Sequence, residues 1–160
     1  MNLYAVDKLV TEARRLAAEY RRVTGKVLPL SGEIAVHDAA RLLGLERIED
    51  PSVGYEATLA RDGQIERFQI KARVIFDVQK GAHRLGELKL DKAWDTLLLV
   101  LMDAEYEPSE IFAVPRATVV SALGERTSKK GSLTVPRIRH IGARVWARDD
   151  VEARVSSAAS

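Results

Sequence analysis

A chain of 160 residues has room for one hydrophobic core and too little for two comfortable domains, and apolar residues at 46% beside charged residues at 30% exclude extended disorder. With no cysteine there is neither a disulfide framework nor a thiolate zinc site, which suits a reducing, cytoplasmic setting. The net charge of +2 hides an asymmetry: from Arg116 to Arg148 eight basic residues face the single acid Glu125, a net of +7 that leaves −5 for the rest and makes the segment 116–148 a candidate for a polyanionic partner.

Residues 3–24 carry Leu3, Val6, Val10, Ala13, Leu16, Ala17, Tyr20 and Val23 at steps of three and four, a helical stripe closed by Gly25. Lys8, Arg14, Arg15, Arg21 and Arg22 on the other side read as solvated surface. Pro29 interrupts, Ser31 is a natural N-cap, and Ile34, Ala35, Ala39, Leu42 and Leu43 form a second helix ending at Gly44. On it Glu33 and His37, four apart, share a face away from the apolar stripe. After Pro51 the period becomes two, so 53–61 and 64–76 are expected strands, joined by the strong hairpin signal Asp62-Gly63.

Beyond Lys80-Gly81, residues 83–90 read as a looser turn and strand. The run from Leu97 to Leu101 fits a central strand buried on both faces, and it is too short to span a bilayer. No basic and then apolar leader stands at the N-terminus, so neither secretion nor a membrane partner is expected. Pro108 precedes a strand over 111–114, and Pro115 fits the first position of a short helix over 117–123 stopped by Gly124. Residues 127–132 are a polar loop, 133–145 irregular or short strand, and 151–160 a flexible tail beyond a single domain over 1–150. Two helices, a run of strands and a helix give an α/β (α+β) fold, a mixed central sheet flanked by helices.

The Asp62-Gly63 turn also fixes register. Arg61 then faces Gln64, and the pairing runs back to Glu56 opposite Gln69 and Gly54 opposite Lys71. Glu56, Gln69 and Lys71 share one face, which gains Thr58, Arg67 and Arg73 and reads as charged and open. Phe68, Ile70, Ala72 and Val74 take the buried face with Tyr55, Ala57 and Leu59.

An acid at the end of one strand, a turn, then Gln69-Ile70-Lys71 on the next resembles the PD-(D/E)XK, or restriction-endonuclease-like, nuclease superfamily, in the Gln-x-Lys form of Mrr-type enzymes. The helix start Ser31-Gly32-Glu33 is similar to that of archaeal Holliday-junction resolvases. The resemblance covers roughly 30–115, the length of such a core, through a short motif. It implies a Mg2+ (or Mn2+) cofactor held by Glu56, Gln69, the main-chain carbonyl of Ile70 and Glu33, with Lys71 orienting water or neutralising phosphate. The substrate would be a nucleic acid, DNA first, with Arg73, Lys129, Lys130, Arg137 and Arg139 on its phosphates. Cutting both strands of a duplex calls for two sites, which would suit a homodimer. The chain departs from the family pattern by carrying Glu56 for the usual Asp and Gln69 for the usual acid. Two other readings stay open: a catalytically degenerate nucleic-acid-binding or regulatory module, and a protein-interaction domain.

Overall fold

The computed structural model describes residues 2–76, 83–124 and 133–159. Helix α1 spans Leu3–Thr24 and α2 spans Ser31–Leu43, both ending where the stripes end, at Gly25 and Gly44. Ser31 is the first residue inside α2; Leu30 holds the cap position without a side-chain bond. Strands β1 (Glu46–Arg47), β2 (Ala57–Arg61), β3 (Gln64–Val74), β4 (Thr96–Met102), β5 (Pro108–Pro115) and β6 (Ala143–Ala147) form one six-stranded sheet in chain order. Only β3 and β4 are parallel. Parallel neighbours need a crossover, and its stretch 83–95 lies on one sheet face through Leu85, Leu88 and Trp94.

The hairpin register is the expected one, from Arg61↔Gln64 back to Ala57↔Phe68. Asp62 and Gly63 at φ 53 and 74 supply the two left-handed residues of a type I′ turn. Every residue of β4 is buried, as its unbroken apolar run requires. Ile70 and Ala72 of β3 face one core with α1, α2 and Tyr106. Leu97, Leu99 and Leu101 face a second core with the crossover, α3 (Arg116–Gly124) and α4 (Val135–Ile141).

Several expectations need correction. Residues 83–90 make no strand; their one ladder contact is the isolated bridge Arg84↔Thr134, because Leu85 and Leu88 anchor the segment by side chains instead. The stretch 133–145 is α4 followed by the start of β6: Thr134 caps the helix by accepting from Arg137 N at 3.3 Å, and Pro136 sits in the first turn, where its missing N–H costs nothing. The expected tail is the helix α5 (Arg148–Ala159), with Asp149 and Asp150 in its first turn, where acids favour the helix dipole. Pro115 ends β5, and α3 begins at Arg116.

Between α1 and α2 lies a buried ion pair. Asp38, 0% exposed, receives Arg14 through both oxygens at 2.9 and 3.0 Å. Arg14 also donates to Tyr106 O and lies 3.3 Å from Glu107. One guanidinium thus ties both helices to the β4–β5 turn. No helix among the described residues is long and apolar enough to cross a membrane.

Candidate active site

The β2–β3 ladder stops at Ala57↔Phe68. Glu56 still bonds Phe68 O through its amide at 2.9 Å, but the chain then turns away at Gly54, whose φ is 86. Tyr55 accordingly packs on the second core, not beside Ala57 and Leu59 as strict alternation implied. The departure leaves the amide of Ile70 without a strand partner, and the Glu56 carboxylate takes its place: Oε2 accepts from Ile70 N at 2.9 Å. Because the N–H and C=O of one strand residue point the same way, the Ile70 carbonyl faces this same gap.

Gly54 is required here for a second reason. A Cβ built on it would lie 2.3 Å from Lys92 Cβ and Cγ. Gly54→Ala should therefore lower stability by about 2–4 kcal/mol, from left-handed strain and overpacking. Gly32→Ala, in open space inside α2, should be neutral or mildly stabilising. Melting temperatures of the two variants check the contrast.

Gln69 and Lys71 pair in parallel register with Leu97 and Leu99 and so share their face. That face is covered, so the expectation of an open polar surface is corrected. Gln69 is 1% exposed; its Nε2 lies 3.5 Å from Gly54 O, and its Oε1 has no hydrogen-bond partner among the described residues. Orphaned buried acceptors are rare and call for an explanation. Lys71 is half-buried, with Glu56, Lys89, Arg73 and Glu87 as its charged surroundings. Burial pushes the Glu56 carboxyl above its ordinary pKa, although the Ile70 amide, Lys71 and Lys89 pull it back. Burial likewise lowers Lys71, against the pull of Glu56. The two are therefore not a solvated surface ion pair.

The crossover supplies what the sequence did not indicate. Trp94 Nε1 donates to Lys89 O at 2.7 Å, Arg116 stacks on the Trp94 ring at 4.8 Å, and the Arg116 guanidinium binds the carbonyls of Leu90 and Trp94. Lys89 is thus held near Glu56 and Lys71 by its backbone while its side chain stays exposed. Arg73 is half-buried and spends its guanidinium on the carbonyls of Arg84 and Ala72.

Other expected site residues stand elsewhere. Glu33 is 83% exposed on its side chain and lies 3.3 Å from Arg47 of β1, on a helix packed against the opposite sheet face. His37 lies 3.0 Å from Asp7 of α1. Arg139 pairs with Glu110 at 2.7 Å and stacks on Phe112, while Arg144 and Arg148 pair with Glu110 and Asp103. Arg137 lines a groove of about 290 Å3 between α3 and α4 that shares no residue with the Glu56 site. Lys129 and Lys130 lie outside the described residues. Among the described residues no three His, Cys, Asp or Glu side chains gather as a metal cluster. No family model matches the chain, and no curated protein matches it.

Proposed function

We propose that this chain is a magnesium- or manganese-dependent nuclease domain that hydrolyses phosphodiester bonds in DNA in the cytoplasm. The observation that carries the reading is the buried Oε1 of Gln69, without a partner among the described residues, on the residue next to Ile70, whose amide Glu56 takes up. A buried acceptor with nothing to accept from among the described residues is suited to a cation, and the Glu56 carboxylate and the Ile70 carbonyl would supply further oxygen ligands. A divalent ion bound there would supply Lewis-acid stabilisation of phosphate charge and a lowered water pKa. The chain's own residues do the rest. Glu56 provides the formal negative charge, Lys71 offers an ammonium to a phosphate oxygen, and Lys89 extends that positive field to solvent.

One observation favours a second reading. Glu56 is the single acid of the proposed set, and Lys71 and Lys89 offset it, as in a phosphate-binding module without cleavage. Incubating duplex, junction and single-stranded DNA with magnesium, manganese or chelator separates the two. Metal-dependent cutting supports the nuclease; binding without cutting under every metal supports the module.

Gln69→Glu provides a readout independent of turnover. With chelator it should melt several degrees below wild type, because a second carboxylate is buried without a full partner. With magnesium it should gain more than wild type, since ligand binding to the folded state alone adds stability. Equal magnesium shifts in both proteins would remove Gln69 from the site.

A further inference from the structure

Residues 89–93 bridge two buried anchors, Leu88 and Trp94, and are all exposed. A short exposed loop has little packing of its own, so its hydrogen bonds decide its shape. Lys89 O accepts from Lys92 N at 3.1 Å and from Trp94 Nε1 at 2.7 Å. The carbonyls of Leu90, Lys92 and Trp94 converge on one guanidinium, that of Arg116, which also stacks on the Trp94 ring at 4.8 Å. Arg116 opens α3 and is tied to the sheet by its own amide, which donates to Asp95 O at 2.9 Å. The loop so held meets the candidate site twice. Lys89 stands near Glu56 and Lys71. Lys92 packs so closely on Gly54 that a Cβ there would lie 2.3 Å from its Cβ and Cγ, and the Gly54 carbonyl in turn lies 3.5 Å from Gln69 Nε2.

We infer that Arg116 is a positioning residue for this site: by clasping the carbonyls of Leu90, Lys92 and Trp94 it holds Lys89 where a DNA phosphate beside Glu56 and Lys71 would meet it. The inference rests on the proposed engagement of DNA phosphate at this site. A cation placed in advance spares the complex the cost of ordering its loop on binding. Serving three carbonyls and an aromatic face at once takes a planar fork of donors, which a guanidinium has and an ammonium lacks. Arg116→Lys therefore keeps the charge and loses the clasp.

Cleavage kinetics and DNA affinity of the full chain over a salt series test this with Lys89→Ala, Arg116→Lys and the double variant. Lys89→Ala should raise KM about three- to tenfold, more than it lowers kcat, and reduce the salt slope of affinity by about one, the mark of one lost phosphate contact. Arg116→Lys should raise KM by nearly as much, and in the double variant it should add nothing, because a clasp acts only through what it holds. Without DNA, the Trp94 indole proton should exchange with solvent faster in Arg116→Lys than in wild type. Arg116→Met, which keeps the packing on Trp94, takes its place should the lysine variant fail to fold. Losses that multiply in the double variant overturn the inference, as does an Arg116→Lys protein that matches wild type in KM or in indole exchange. Each of these failures leaves wild-type cleavage intact. A wild type that binds without cutting sinks the nuclease reading alone, and Kd then carries the same comparison; one that neither cuts nor binds DNA sinks both.

Discussion

Glu56→Gln is expected to slow magnesium-dependent DNA cleavage by about 10²–10³-fold or more while leaving the fold at least as stable as wild type. Glutamine keeps an oxygen in place for the Ile70 amide, so the gap beside β3 stays closed; what is lost is the negative charge that the proposed cation would need. Stability should rise at neutral pH, because the native carboxyl has a raised pKa and its ionised form is disfavoured by burial. For such a group the cost is full above the raised native pKa, shrinks as pH falls through it and is gone below the unfolded value, so the wild-type deficit should close in acid. Lys71→Ala should lose cleavage as severely with most DNA binding retained. The wild-type rate should climb with pH as Glu56 ionises and decline as Lys71, lowered by burial, loses its proton. Rates against magnesium and pH, with melting curves for both variants, measure all of this. Cleavage by Lys71→Ala at the wild-type rate would place the chemistry elsewhere.

Asp38→Ala is expected to be the most destabilising single change in the fold, by about 3–5 kcal/mol. It strands the Arg14 guanidinium, whose side chain is 11% exposed, between α1, α2 and the Tyr106 carbonyl. A chain of this length loses roughly 2–4 °C of melting temperature per kcal/mol, so the drop should be on the order of 10 °C. Replacing both partners together, Arg14→Met with Asp38→Leu, should recover much of the loss, since a buried pair often contributes little beyond a well-packed apolar substitute. Thermal unfolding of the single and double variants decides. A double variant as unstable as Asp38→Ala would mean that Arg14 matters through Glu107 and Tyr106 instead.

The hairpin and β4 were legible because local rules fixed them: a two-residue turn sets register, and an unbroken apolar run buries both faces. The same register brought Glu56 to the β3 gap and put Gln69 and Lys71 on one face. What alternation could not reveal was the break at Gly54, which swings Tyr55 to the other core, since a single positive φ leaves no periodic trace. Nor could it reveal that the Gln69 face is covered, because the covering residues Leu85, Leu88 and Trp94 lie in a segment without secondary-structure period. Lys89 was hidden for the same reason. The basic C-terminal third shows the limit of composition: Arg139, Arg144 and Arg148 count toward a charge patch in the sequence, yet each pairs with an acid outside that stretch.

The bond from Ile70 to Glu56 has a spectroscopic consequence. Most strand amides point at a neighbouring carbonyl and respond little to chemistry nearby; this one points at an ionisable oxygen. Its proton resonance should shift downfield when the carboxylate is charged and move back on protonation or when a cation withdraws the oxygen's electrons. A single isotope-labelled isoleucine would thus give the sheet an internal indicator for the occupancy of its own cleft, readable without substrate and without disturbing any side chain.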